Sequence, residues 1–302
     1  MRVRLLVKRL AEGLLSASGA VGVARRRCRG RTLILAYHNV VPAGESPCGD
    51  RSLHLPQAAF AGHLDALMAT HDVVPLADID NEPCGKRPRV ILTLDDAYRG
   101  AITVGVAELE RRGLPATVFV APGLFGGTTW WDRLSDPSAG GVLPAMRAAA
   151  LSAHQGRFDR VMSAFGPGRS SLPSWAGIAT EDEVLAAAAS PGITLGAHTW
   201  SHPNLTALDT EDLANELASP LVWLRTVGQS ATPWLAYPYG FTSPVVARAA
   251  AAAGYAGAFR IDGGWMAKEP AVWRRFDLPR LNVPSGLSLA GFRLRTAGML
   301  TH

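Results

Sequence analysis

The chain has 302 residues, which is enough for one large domain or two small ones with a substantial core. A hydrophobic content of 48% and a charged content of 18% exclude an intrinsically disordered chain. Of the net charge of +5, residues 1–31 contribute +8 through nine Lys/Arg and one Glu, so the other residues carry −3. The basic character therefore belongs to the N-terminal segment, and we expect no nucleic-acid partner for the rest of the chain.

Residues 1–31 are predicted to form a basic, amphipathic N-terminal segment that precedes a catalytic domain at 32–302. Three interpretations of the segment stay open: peripheral contact with an anionic membrane, a helix packed on the domain with solvated charges, and an atypical export signal. No run of 18 apolar residues exists, so no transmembrane helix is predicted. The apolar residues near helical spacing are Leu5, Leu6, Val7, Leu10, Leu14 and Leu15.

After this segment, strand-like runs alternate with helix-like runs. Repeated β-then-α units predict a mainly parallel sheet, either open or closed into a barrel. Residues from about 124 to 192 interrupt the pattern, and we interpret them as an insertion that is either a lid or a cover for the barrel rim. The predicted strands are 32–38, 72–76, 89–94, 116–122, 193–197, 233–238 and 255–260, and the predicted helices are 57–70, 100–112, 145–153, 209–227, 244–253 and 287–294.

Two strands end in residues that can bind a metal. Asp95 and Asp96 follow one apolar run, and His198 and His202 follow another. The carboxyl ends of parallel strands meet at one edge of a sheet, and one Asp with two His can hold a divalent metal and leave positions open for water. On an extended segment the two aspartates would point to opposite sides, so we expect them to have different functions. Alone, the Asp pair could be a helix cap, and the His pair one core and one surface residue.

Other features are less specific. Residues 235–240, "LAYPYG", predict a rigid turn after a strand, whose N–H groups either face a site or only end the strand.

The three cysteines are widely spaced without CxxC pairing, which favours a reducing cytoplasm, with membrane association or secretion as alternatives.

Three motifs in order make the chain resemble the polysaccharide deacetylase family, carbohydrate esterase family 4, whose shared region is the NodB-homology domain. "TLDDAY" resembles the family's T-F-D-D-G, "HTWSH" its H-[ST]-x-x-H, and "AYPYG" its R-x-P-[YF]-G. The resemblance covers about residues 32–285. It implies a distorted (β/α) barrel in the α/β class and removal of acyl groups from N-acylated sugars.

The resemblance also implies site roles. Asp95 matches the catalytic base, Asp96, His198 and His202 match the metal ligands, and the Tyr239 backbone N–H matches the oxyanion donor. "AYHNV" resembles the N-terminal Tyr-His motif of an exopolysaccharide-type subgroup.

The chain departs from the family pattern at two places. Ala236 stands where the family's third motif has Arg, and no L-x-H motif follows. We therefore nominate His38 as the general acid, with a core histidine as the alternative. We nominate Arg280 as the substitute for the missing Arg, with a surface or salt-bridged Arg as the alternative. Trp265 is expected to line the pocket.

The sequence therefore predicts a metal-dependent hydrolase that removes an N-linked acetyl group, less favourably an O-linked one, from a sugar in a polysaccharide or glycan precursor. The ligand set favours zinc, with cobalt, nickel or iron also compatible. The expected partner is an N-acetylated glycan or glycolipid. Two alternatives stay open: a deacylase or deformylase of a lipid-linked or nucleotide-linked sugar or small amide, and an inactive carbohydrate-binding homologue.

Overall fold

The computed structural model describes residues 11–16, 18–82, 85–169, 171–266 and 272–300. The strands are short, mostly buried runs: β1 (Thr32–Tyr37), β2 (Asn39–Val41), β3 (His54–Pro56), β4 (Asp72–Val73), β5 (Arg89–Asp95), β6 (Ala116–Val120), β7 (Ile193–Ala197), β8 (Ala231–Ala236), β9 (Gly257–Phe259) and β10 (Leu281–Asn282). The helices are α1 (Ala20–Arg27), α2 (Gln57–Met68), α3 (Val106–Glu110, preceded by a π-helical stretch Ala101–Gly105), α4 (Trp130–Arg133), α5 (Pro144–Ser152), α6 (Phe158–Phe165), α7 (Glu181–Ala188), α8 (Thr210–Val227), α9 (Pro244–Ala253) and α10 (Leu289–Thr296).

The main sheet is parallel and curled. Its order is β10-β1-β5-β6-β7-β8-β9, and β4 pairs with the first two residues of β5. The chain after β9 bridges the two edges, because Leu278 pairs with Phe259 of β9 and Leu281 pairs with Leu35 of β1. The prediction of an α/β fold of the distorted-barrel type is confirmed.

Residues of β1, β5, β6, β8 and β9 alternate between two apolar cores. On β1, Leu33 and Leu35 belong to the large core that contains helix residues, whereas Ile34 belongs to the smaller core inside the curl. On β5, Ile91 points into the curl, so the period of two places Thr93 and Asp95 on the same inner face. The end of β5 therefore presents a carboxylate at the mouth of the barrel.

Residues 124–192 divide into two parts. Helices α4, α5 and α6 share a small core of their own, formed by Trp130, Trp131, Val142, Ala150 and Val161. Helix α7 instead packs into the main core, as the helix of a regular unit between β6 and β7. Helix α7 begins with a capping box in which Thr180 and Glu183 satisfy each other's backbone N–H groups.

The N-terminal segment is described only in part, since residues 1–10 and 17 lie outside the described ranges. Residues 11–16 are helical, and α1 packs Val21 against Leu294 and Ala297 at the end of α10. None of the helices in the described ranges is long and apolar enough to span a bilayer.

Candidate active site

A cavity of about 400 Å³ opens at the carboxyl ends of the strands. It contains six of the seven residues nominated from the sequence, and the seventh, Arg280, lies directly behind one of them. The lining residues used below are His38, Asp95, Asp96, Trp131, His198, His202 and Tyr239.

Asp96, His198 and His202 form a tight triangle in this cavity. Oδ1 of Asp96 lies 3.4 Å from Nε2 of His198 and 3.2 Å from Nε2 of His202, and the two Nε2 atoms are 3.1 Å apart. All three side chains are buried. Three ligand atoms at these separations point at one position between them.

The triangle fits a divalent cation. Ligands held at about 2.0–2.2 Å in a tetrahedron are roughly 3.3–3.6 Å from one another, which is close to the observed separations. Within the described ranges, Oδ1 of Asp96 has no hydrogen-bond partner although it is buried. A buried carboxylate oxygen without a donor is costly, so the arrangement is better satisfied by an ion than by the side chains alone.

Neighbouring groups fix the orientation of both imidazoles. Nδ1–H of His198 donates to the carbonyl of Ala236 at 2.7 Å, which leaves its Nε2 lone pair facing the triangle. The ring of His202 packs against Trp131 at 4.8 Å and edge-on against Tyr239 at 4.7 Å. Position 236, which lacks the family's Arg side chain, thus supports the site through its backbone.

Asp95 is held by a buried arginine. Arg280 donates from Nη1 and Nη2 to the two carboxylate oxygens at 2.7 Å each, and from Nη1 to Oγ1 of Thr93 at 2.9 Å. Both partners are buried, and the guanidinium lies over the rings of Phe119 and Phe259. Burial raises the pKa of Asp95, but the charge and hydrogen bonds of Arg280, together with the charges of His198 and His38, outweigh burial, so the pKa lies below its ordinary value. The carboxylate is therefore ionised at neutral pH.

The expected orientation of the two aspartates was wrong. Asp95 ends β5, but Asp96 has a φ of 70° and begins a turn, so the segment is not extended across both residues. Both side chains consequently face the same cavity. Arg280 contacts Asp95, and the two histidines contact Asp96.

Left-handed backbone conformations are concentrated in the site motifs. Apart from Gln155, the non-glycine residues with positive φ in the described ranges are Asp96, Ala97, Thr199, His202 and Tyr239. Such conformations cost about 1–3 kcal/mol each and persist only where the surroundings impose them. Here they turn the chain sharply after β5, β7 and β8, which brings the side chains of Asp96, His202 and Tyr239 into one cavity.

His38 and Tyr239 lie on the cavity wall. His38 directly follows β1 and is half-buried; burial lowers its pKa, and the charges of Asp96 and Asp95 offset this only in part. The hydroxyl of Tyr239 accepts from Nε1 of Trp130 at 3.1 Å and donates to the carbonyl of His202 at 3.3 Å.

Several groups at the site were not identified from the sequence. Asp132 is buried and accepts from Nε2 of His54 at 2.9 Å and from the Tyr98 hydroxyl at 2.6 Å. The Tyr98 hydroxyl in turn accepts from Nε1 of Trp131 at 2.8 Å, which fixes the ring that packs on His202. Asp132 and His54 are far apart in the chain, so no local pattern marks this network.

Trp265 does not line the cavity, so that expectation was wrong. It pairs with Leu33 near the start of β1, and its ring lies 5.4 Å from the guanidinium of Arg31. The start of β1 is at the opposite end of the barrel from the cavity, so the ring of Trp265 cannot reach the cavity.

Comparisons with known proteins identify the family of the chain and relate its fold to solved structures. A sequence model described as polysaccharide deacetylase matches residues 82–258, more than half of the chain. No curated protein matches. The fold is similar to that of the deacetylase PplD of Streptococcus pyogenes (TM-score 0.61, 18% identity, 88% of this chain and 98% of that one). It is also similar to IcaB of Ammonifex degensii (TM-score 0.59, 17% identity, 87% and 97%) and to a de-N-acetylase of Aggregatibacter actinomycetemcomitans (TM-score 0.59, 16% identity, 87% and 98%). At these identities the likeness establishes the fold.

Proposed function

The chain belongs to the polysaccharide deacetylase family, and we propose that it removes N-linked acetyl groups from sugars of a glycan with a divalent metal held by Asp96, His198 and His202. Family membership makes it a hydrolase that acts on acetylated polysaccharide. The observation that supports the finer proposal is the triangle of ligand atoms at 3.1–3.4 Å beside the Asp95–Arg280 pair. We favour zinc, with cobalt, nickel or iron as compatible alternatives.

A divalent cation bound there supplies Lewis acidity, which polarises an acyl oxygen and makes water more acidic. Asp95 takes the proton of the attacking water, because it is ionised and lies in the same cavity as the ligand triangle. Arg280 holds both carboxylate oxygens, so it fixes the direction from which Asp95 accepts this proton.

The other two nominated groups act on the acyl carbon and the leaving nitrogen. The backbone N–H of Tyr239 donates to the oxyanion of the tetrahedral intermediate, and a single donor of this kind is typically worth about 3–4 kcal/mol. His38 in its protonated form donates a proton to the sugar nitrogen as the C–N bond breaks and is left neutral, because an amide anion is too poor a leaving group to depart unprotonated.

Replacement of His38 by glutamine should impair amide substrates selectively. We expect kcat on an N-acetylated glycan to fall about 10²-fold, since leaving-group protonation is lost. Hydrolysis of 4-nitrophenyl acetate should change much less, because its phenolate departs without a proton. Steady-state kinetics on both substrates measure the difference. An equal loss on both would assign His38 to positioning, and no loss on the amide would remove it from the mechanism.

Replacement of Arg280 by lysine should lower kcat about 10- to 100-fold with a small change in KM. Lysine keeps the charge but cannot hold both oxygens of Asp95, so the base loses its fixed direction. Arg275→Lys is the matched control, because Arg275 makes a bidentate pair with Asp80 away from the cavity. If Arg280→Lys and Arg275→Lys had the same kcat and KM, Arg280 would not be needed at the site.

The test of the proposed function is acetate release. We expect the purified protein to release acetate from N-acetylated oligosaccharides, to lose this activity with a chelator and to regain it with zinc. O-acetylated glycans and N-acetylated glycolipids complete the panel. Acetate released only from O-acetylated substrates, or activity that is insensitive to the chelator, would contradict the proposal.

A further inference from the structure

A second cavity lies at the opposite end of the barrel. Its volume is about 250 Å³, and five cationic residues line it together with Gly22, Ala69, Thr70 and Pro88. Those cations come from α1, from the turn that follows it and from the loop before β5: Arg25, Arg26, Arg29, Lys86 and Arg87. An adjoining cavity of about 180 Å³ shares Arg25 and adds Arg293. We call these six residues the basic cluster.

The cations of the basic cluster are not paired with carboxylates. Across the part of the chain that the structure describes, none of its members forms an ion pair with a carboxylate. Asp72 packs against Gly85 but pairs with none of them. One nitrogen of Arg87 donates to the carbonyl of Met68, and the remaining donors of the cluster can serve an external acceptor. Six like charges around adjoining cavities form a strong positive field that favours a multiply charged anion.

Apolar side chains are exposed beside the cluster. Leu14 is 77% exposed and Val23 is 52% exposed. They lie within two residues of Ser16 and Gly22, which line the two cavities. Exposed apolar side chains next to unpaired cations suit a bilayer interface, where the cations meet lipid phosphates and the apolar groups enter the headgroup region.

We propose that the basic cluster docks the protein on an anionic membrane surface by binding lipid phosphates. Binding to the membrane does not depend on the deacetylase assignment, whereas its consequence for the substrate rests on the proposed function. Arg87 and Pro88 directly precede β5, whose seven residues end at Asp95, so the catalytic cavity is about 20 Å away along the strand. Docking through the cluster directs the catalytic cavity away from the bilayer. The docked enzyme therefore reaches a glycan chain that extends from the membrane rather than a sugar at the lipid phosphate.

The test uses the full chain and sedimentation with vesicles of phosphatidylcholine, with and without phosphatidylglycerol. We expect binding only to the anionic vesicles and weaker binding as salt is raised. The double variant Arg26→Glu/Arg29→Glu should partition at least about tenfold less, since each charge near the surface contributes substantially. The matched control Arg225→Glu/Arg248→Glu changes the same charge at exposed positions on α8 and α9 and should bind like the unmodified chain.

Three results would overturn the inference. The first is equal binding of the unmodified chain to both kinds of vesicle. The second is an equal loss in the two double variants, which would indicate a general charge effect. The third is tight binding of inorganic phosphate, measured by calorimetry, without vesicle binding, which would assign the cluster to a soluble anion. Circular dichroism of each variant checks that a loss of binding is not a loss of folding.

Discussion

The His202→Ala variant should lose both its metal and its activity. Nε2 of His202 is one of three ligand atoms, and two ligands from a buried site bind a cation far more weakly than three. We expect metal content, measured by atomic absorption after dialysis, to fall from about one ion per chain to background, and acetate release to fall with it.

The matched control is His154→Ala. His154 is half-buried, its ring contacts Phe165 at 5.5 Å, and it does not line the catalytic cavity. This variant should keep both metal and activity. If His202→Ala retained the metal at the stoichiometry of the unmodified protein, His202 would not be a ligand and the site assignment would be wrong.

The Asp95→Asn variant should separate chemistry from metal binding. The amide is nearly the same size as the carboxylate but cannot accept the proton of the attacking water, so we expect kcat to fall about 10³- to 10⁴-fold. The three ligands do not include Asp95, so metal content should stay at about one ion per chain. Metal analysis and kinetics of the same preparation measure both quantities.

This substitution also leaves the buried guanidinium of Arg280 without its anionic partner, so some loss of stability is expected. Retained metal shows that the remaining protein is folded around the site. Asp262→Asn, at an exposed ion pair with Arg260, controls for the loss of one carboxylate. Unchanged turnover in Asp95→Asn would remove this residue from the role of base, and loss of the metal would make it a ligand instead.

The strands that carry the site could be predicted because their signals are local. One run ends before Asp95 and the other begins at Ile193; both are short, and both are followed by polar residues. In the structure, β7 begins and ends at the predicted residues. Helix α8 begins after Asp209, which caps it, within one residue of the predicted start at 209. The β2–β3 pair was not predicted, since it joins two three-residue segments whose pairing depends on the rest of the fold.

The arrangement around the metal ligands could be predicted only in outline. The spacing of His198 and His202 permits convergence from a helix or from a turn, and the left-handed conformations of Thr199 and His202 decide for the turn. Arg280 could be nominated because position 236 lacks an arginine, but its contact with Asp95 depends on the chain that closes the barrel. The functional roles of these residues remain predictions.

The central claim is that Asp96, His198 and His202 bind one cation together, and anomalous diffraction tests it most directly. Crystals of zinc-loaded protein, measured above and below the zinc absorption edge, should give one strong peak at about 2.0–2.2 Å from Oδ1 of Asp96 and from Nε2 of each histidine. A zinc-loaded crystal with no peak between these three side chains, or with its only peak elsewhere, would contradict the account.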